Sequence, residues 1–330
     1  MARGQTGAGT RMLSDPLTAI VRSLDLAGGV FLEGVLTAPW AILARISPTD
    51  CRPFMDVPKQ VIAYHIVTEG AMRVGLEDGS VREAGPGDVV FLPTNARHSL
   101  ASGPGLDPVP GRDLILPPDR DRLARISFGG GGDVTRLLCG FIAANAGPTP
   151  LLDALPTLLV IRTQHVATLQ WIEASIGMVA RELTAGRISS AAVMAQLAEL
   201  LLVEALRLYL ERTPRPQGWL AGMADPRIAR ALARIHQSLA APVSVGALAA
   251  EAGMSRSAFV ARFSDLMGSG PARYALAQRI EAARLLLRDT DLTAAEIAFR
   301  VGYEAPEAFS RSFKRETGLS PADWRAAQAP

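Results

Sequence analysis

Leu248-Ala249-Ala250-Glu251-Ala252-Gly253-Met254-Ser255-Arg256-Ser257-Ala258-Phe259, followed by Phe263, Gly268, Pro271 and Tyr274, is one of two copies of a single pattern. The other is Ile297-Ala298-Phe299-Arg300-Val301-Gly302-Tyr303, followed by Ala308-Phe309, Phe313, Gly318, Pro321 and Trp324. Phe259/Phe309, Phe263/Phe313, Gly268/Gly318 and Pro271/Pro321 are each 50 residues apart, and Gly253/Gly302 are 49 apart. The extra residue falls in the turn, so both halves of each copy stay in register. A period near 50 suits propellers and solenoids, but two copies are too few for either. Each copy instead predicts an apolar helix ended by a glycine, a short turn, and a second helix. Ser255 is a good N-cap and Pro306 suits a first helical turn. Phe259/Phe263 and Phe309/Phe313, spaced i, i+4, bury one face of each second helix and leave an arginine-bearing face outside. That is a helix-turn-helix, twice, and the usual place of its second helix is a DNA major groove.

The stretch from about residue 225 to 326 resembles the DNA-binding domain of AraC/XylS-type transcriptional regulators. Val301-Gly302-Tyr303, Ala308-Phe309-Ser310-Arg311-Ser312-Phe313-Lys314-Arg315 and Gly318-Leu319-Ser320-Pro321 carry the resemblance nearly residue for residue. It implies two motifs joined by a long helix, expected over residues 272–288 with Arg273, Arg279, Arg284 and Arg288 mostly outward. It implies double-stranded promoter or operator DNA as partner, and RNA polymerase if the protein activates. By position, the first recognition helix would present Arg256, Ser257, Val260, Ala261 and Arg262, and the second Pro306, Glu307, Ser310 and Arg311. Arg311 is the best base reader, because a guanidinium bonds guanine O6 and N7 together; Glu307 can accept from cytosine N4. Arg256, Arg262, Lys314 and Arg315 are expected on phosphates, which set affinity more than sequence. Val260 and Ala261 stand where the family often has longer polar residues, leaving thymine methyl contact to the first helix.

Earlier in the chain the period changes. Residues 15–27 predict a short amphipathic helix, with Asp15 as N-cap and Pro16 at the first helical position. From Gly29 to Ala101, short β-rich runs such as Val61–Val67 and Asp88–Leu92 alternate with turn residues, which argues for a small barrel or sandwich. Gly87-Asp88-Val89-Val90-Phe91-Leu92-Pro93-Thr94-Asn95-Ala96-Arg97-His98 resembles the second cupin motif, with Asn95 where glycine is usual. Asn tolerates positive φ next best after glycine. His65 lies in the strand that resembles the first motif. The usual His-x-His pair and glutamate are missing, which breaks the ligand set of a cupin metalloenzyme, so no enzymatic activity is expected. His65 and His98 remain as ligands for a divalent metal such as zinc, if water or an effector completes the shell. The alternative is that they line, with Tyr64, a pocket for a small-molecule effector, or satisfy hydrogen bonds in the core. Residues 103–123 predict a long loop, and Gly129–Gly132 a flexible turn rather than a phosphate loop.

The two cysteines give no disulfide framework and fit a reducing cytoplasm. Cys51 is read on a polar loop beside Arg52, which favours thiolate. Cys139 sits in an apolar strand, where a free thiol behaves as a small hydrophobe. A redox-responsive regulator working through Cys51 and Cys139 is the competing reading, and a cupin metalloenzyme with an accessory DNA module a third.

Residues 166–184 and 189–212 predict two antiparallel helices whose wide apolar stripes need a partner, either the barrel or a second copy of the chain. A homodimer is the expectation. Thr213–Gly218 reads as a linker. The predicted organisation is α+β: a cupin-like sensor over 15–145, a helical pair over 150–213, and a double helix-turn-helix domain over 222–327. No apolar run approaches membrane-spanning length and the N-terminus is not a secretory signal, so a cytoplasmic location with no membrane partner is expected. From Asp225 to Arg325 there are 14 Lys+Arg against 11 Asp+Glu. So small an excess makes the placement of the arginines matter more than their number.

Overall fold

The computed structural model describes residues 16–22, 24, 26–51, 57–58, 60–116, 124–144, 150–162, 189–213, 216, 218–237, 239–240 and 244–328. The predicted helix over 166–184, the N-terminal tail, Arg52 and residues 117–123 of the long loop lie outside them.

Helix α1 (Pro16–Arg22) leads into the β region. Its strands are β1 (Leu26–Thr37), β2 (Ala41–Ala44), β3 (Gln60–Glu69), β4 (Met72–Leu76), β5 (Val81–Ala84), β6 (Asp88–Leu92), β7 (His98–Ala101), β8 (Val109–Pro110), β9 (Ala124–Gly129) and β10 (Val134–Ala144). After α2 (Pro150–Asp153), β11 (Leu159–Arg162) returns to pair with β6. The strands form two sheets, in the orders β11-β6-β3-β10-β1-β9 and β5-β4-β7-β2-β8. The expected cupin-like barrel is thus two open sheets face to face, and the larger extends past residue 145 by one strand.

Alternation along the strands gives the larger sheet two apolar faces. Ala63 and Val67 of β3 and Leu137 of β10 face inward. They pack with Ile42, Val74 and Leu100 of the smaller sheet into the sandwich core. Ile62, Tyr64 and Ile66 face outward, in a second core shared with α1, α2 and α3 (Ser189–Arg212). The apolar stripe of α3, including Leu202, Val203 and Leu206, is buried there. Its partner is the chain's own sheet and α1, so intramolecular packing satisfies this part of the helical pair.

The C-terminal half holds α4 (Trp219–Ala224), α5 (Pro226–Gln237), α6 (Val245–Glu251), α7 (Arg256–Met267), α8 (Pro271–Asp289), α9 (Ala294–Arg300), α10 (Pro306–Thr317) and α11 (Pro321–Gln328). The repeat read from the sequence is repeated in space. Phe259 and Phe263 are fully buried with ring centroids 5.6 Å apart, and Phe263 meets Tyr274 at 5.7 Å. Phe309 and Phe313 are 5.5 Å apart, and Phe313 meets Trp324 at 6.2 Å.

A three-way joint fixes one motif against the other. Arg279, in the middle of α8, donates from Nε to the Leu239 carbonyl at 2.8 Å and from a terminal nitrogen to the Gly302 carbonyl at 3.2 Å. The expectation that Arg279 points outward is therefore corrected, because these carbonyls hold it half-buried. Gly302 has φ of 85°, and a Cβ there would collide with the Ala240 backbone. Arg325 likewise donates to Leu287, Thr290 and Leu292 carbonyls at the end of α8.

A second network ties α4 and α5 to α8. Trp219 Nε1–H donates to Tyr274 Oη at 2.9 Å, and the same hydroxyl is hydrogen-bonded to His236 Nε2, also at 2.9 Å. Burial lowers the His236 pKa to about 4.

Two outcomes are expected. Gly302→Ala forces a side chain into the left-handed region and onto Ala240, and should cost on the order of 2 kcal/mol in a denaturant titration. His236 is neutral when folded, while an unfolded histidine takes a proton near pH 6.5. Its contribution is complete above pH 6.5 and is lost as pH falls toward 4. The urea midpoint should drop between pH 7 and 4.5, and drop less in His236→Phe.

Candidate DNA interface and buried His–His–Cys cluster

The two recognition helices are α7 and α10. Ser255 caps α7, accepting from the Ala258 amide, and α7 ends on Gly268 in the left-handed region; α10 starts at Pro306 and ends on left-handed Gly318. Helix α9, which precedes α10, opens with a capping box between Thr293 and Glu296. With the phenylalanines buried, Arg256, Ser257, Ala261 and Arg262 are exposed on α7, and Val260 is half-buried. On α10, Glu307, Arg311, Lys314 and Arg315 are exposed, and Pro306 and Ser310 are half-buried. Arg256, Arg311 and Lys314 have no ion pair among the described residues, whereas Arg315 meets Glu316 at 3.4 Å.

Arg262 is placed differently from its neighbours. Both Nε and a terminal nitrogen bond Asp225 Oδ2, while Asp225 Oδ1 caps α5 by accepting from the Arg227 and Ile228 amides. The Asp225 carboxylate is 8% exposed and its pKa is lowered. Burial opposes that shift, and the hydrogen bonds from Ile228, Arg262 and Arg227 outweigh it. Arg262, 54% exposed, therefore ties the recognition helix to α5 as well as facing outward. No local sequence pattern pairs Asp225 with an arginine 37 residues away.

Inside the sandwich, the structure brings together the two histidines that the sequence had paired and a cysteine that it had read apart from them. Cys139 on β10 lies directly across from His65 on β3. His65 Nδ1 is 3.0 Å from Cys139 Sγ, and His65 Nε2 is 2.8 Å from His98 Nε2, which reaches in from the other sheet. His98 Nδ1 is 2.8 Å from the Ala96 carbonyl. Burial, and then the neighbouring His98, hold the His65 pKa well below its ordinary value; burial also lowers that of His98. Both rings are neutral, and the carbonyl fixes where every proton sits. His98 donates from Nδ1 to Ala96, so its Nε2 accepts. His65 must donate from Nε2, so its Nδ1 accepts. Cys139 S–H is left to donate to His65 Nδ1. Burial pushes the Cys139 thiol up to about 12.

Asn95, four residues after Phe91, takes φ of 50°. Its amide bonds both the carbonyl and the N–H of Ile46, which steadies the turn leading to His98. Tyr64 is corrected as a neighbour of the histidines: it faces the opposite side of β3, 6.1 Å from Phe91 in the outer core. Cys51 is also corrected. A 3-10 turn over Pro48–Cys51 folds it back under β3 and β10, where it is fully buried against Val61, Phe141 and Ala143. Neither cysteine is in a disulfide. Among the described residues no group of three or more His, Cys, Asp or Glu side chains is arranged to hold one metal ion.

A β-sandwich with a cupin turn, followed by two helix-turn-helix units with outward arginines, defines a DNA-binding transcription regulator with an N-terminal cupin domain. Residues 15–211 match the Cupin family and residues 248–327 a helix-turn-helix domain. A putative AraC-like transcription regulator of Streptomyces lividans is 34% identical over 316 residues, covering 94% of this chain and 98% of that protein. Another from Streptomyces antibioticus is 33% identical over 320 residues, covering 96% of this chain and all of that protein. Among solved structures, the DNA-binding domain of AdpA in complex with a target DNA is 39% identical. That match covers 30% of this chain and 89% of that one, with a TM-score of 0.29. The chain belongs to the AraC-like transcription regulators. No helix among its described residues is long and apolar enough to cross a membrane.

Cys139 is half-buried and protonated, and Cys51 is fully buried. Iodoacetamide followed by peptide mass spectrometry should therefore label native protein slowly and at Cys139 alone. Its rate should keep rising with pH beyond 10, where an ordinary thiol has levelled off near its pKa of about 8.5. Cys51 should label only after denaturation.

Proposed function

We propose that this chain is a cytoplasmic, homodimeric regulator that reads operator DNA through α7 and α10 and senses a signal inside its cupin sandwich. The observation that carries the reading is the pair of recognition helices, each anchored by two buried phenylalanines and each turning an arginine face outward. Arg311 and Glu307 are assigned to base edges, and Arg256, Lys314 and Arg315 to phosphates. Arg262 serves phosphate on one side and Asp225 on the other. Ser257, Val260, Ala261, Pro306 and Ser310 complete the contact surface. The working units are a sensor over 15–145, a helical region over 150–213 and a DNA-binding domain over 222–327.

Signal sensing is supported by the His65–His98–Cys139 cluster, which links the two sheets through polar atoms within an otherwise apolar core. The outer face of the larger sheet packs α1, and α1 packs α5 of the DNA-binding half. A shift between the sheets would therefore reach the first motif through contacts already made. If the protein activates, RNA polymerase is its further partner.

Arg311→Ala should weaken binding to an operator selected from random DNA by the wild type by about 1–3 kcal/mol, and relax the preference at one base position. Lys314→Ala should weaken all sequences alike and flatten the salt dependence by about one unit. Equal loss on selected and random DNA with Arg311→Ala would overturn its base-reading role.

A further inference from the structure

We propose that the thiol proton shared between Cys139 Sγ and His65 Nδ1 marks a two-coordinate site for a soft monovalent metal ion of the copper(I) or silver(I) type. The inference rests on the reading that the sandwich interior is where the signal is sensed.

The proton positions argue for it. The Ala96 carbonyl fixes the His98 tautomer and His98 fixes that of His65, so a lone pair on His65 Nδ1 is aimed at the Cys139 sulfur. Metal-binding histidines are typically held this way, with the ring nitrogen away from the metal donating to a fixed acceptor. Here the acceptor is His98, which acts as a positioning residue. Cys139 and His65 sit opposite each other on adjacent strands, so both ligands come from rigid backbone.

Charge selects the ion. Binding replaces one proton by one cation: Cys–SH and M⁺ give a sulfur–metal–nitrogen bridge and release H⁺. The product is neutral, as the starting pair was. A divalent ion on the same two ligands would leave a net positive charge in an apolar core, which costs several kcal/mol. Thiolate with imidazole also suits a soft ion better than a hard one. Zinc wants four ligands, and the described residues offer no group of three. With bonds like those of zinc, about 2.3 Å to sulfur and 2.1 Å to nitrogen, a linear ion requires the 3.0 Å gap to open by about 1.4 Å. Rotation about the Cys139 Cα–Cβ bond would supply that opening.

The test uses full-length protein under anaerobic conditions, with silver(I) and copper(I) supplied from a competing chelator. Native mass spectrometry should show one ion per chain, and titration should show one proton released per ion. Cys51→Ser should bind as the wild type does, and Cys139→Ser should fall to background. His65→Gln should do the same, and guards against misfolding of the cysteine variant. His98→Ala should bind about 10–100-fold more weakly. X-ray absorption should find one sulfur and one nitrogen. Equal binding by wild type and Cys139→Ser, or preferential loading with zinc, would overturn the site. DNA affinity is measured with and without the ion. An ion that binds as described and leaves DNA affinity unchanged would sink the sensing reading and spare the site. No binding, together with a DNA response that still changes in His65→Gln, would sink the site and spare the sensing reading.

Discussion

The placement of α7 and α10 depends on a contact that neither of them makes. Gly302, in the second turn, lies against the backbone of Ala240, and Arg279 bonds the carbonyls on both sides of that contact. A single long helix between two motifs would leave them free to swing about its ends. Anchoring the second turn to the segment before the first motif removes that freedom. The ordering entropy is spent at folding rather than at binding, so less is lost when DNA is engaged. If both helices enter DNA as proposed, the cost moves to the DNA, which would present two grooves at the separation the protein dictates or bend to do so.

Much of this was legible in the chain. The repeat showed two helix-turn-helix units because each aromatic and glycine does a local job that sequence spacing records. The open strands of the sandwich were legible for the same reason, and so was the positive φ at Asn95. The joint was only half visible. Gly302 was readable as a turn glycine, but its contact with Ala240 joins residues 62 apart. Arg279 has the spacing of an outward residue on an amphipathic helix, and only the arrival of two carbonyls makes it structural.

The interior cluster was hidden in a different way. His65 and His98 stood out together, for their place in a cupin strand and turn, and Cys139 stood out apart from them, as a thiol. What joins them is strand register, with residue 139 opposite residue 65 and the second sheet folded over both. Tyr64 and Cys51 illustrate the converse. Tyr64 is adjacent in sequence and on the wrong face. Cys51 looked exposed because its neighbours are polar, yet one short turn carries it under the sheet.

One further consequence follows from the apolar cluster on the outer face of the larger sheet. It does not stop at the cupin unit. Leu17, Ile20 and Val21 carry it across to Ile228, Leu232 and Ile235, and from there to Phe259 and Phe263. The cupin unit and the first motif are thus two ends of one hydrophobic body, and the two halves of this chain are not interchangeable modules. A chimaera that exchanged cupin units between relatives, cutting between α3 and α4, would part α1 from the α5 surface shaped to receive it. To stay intact, the exchange would have to carry both surfaces together.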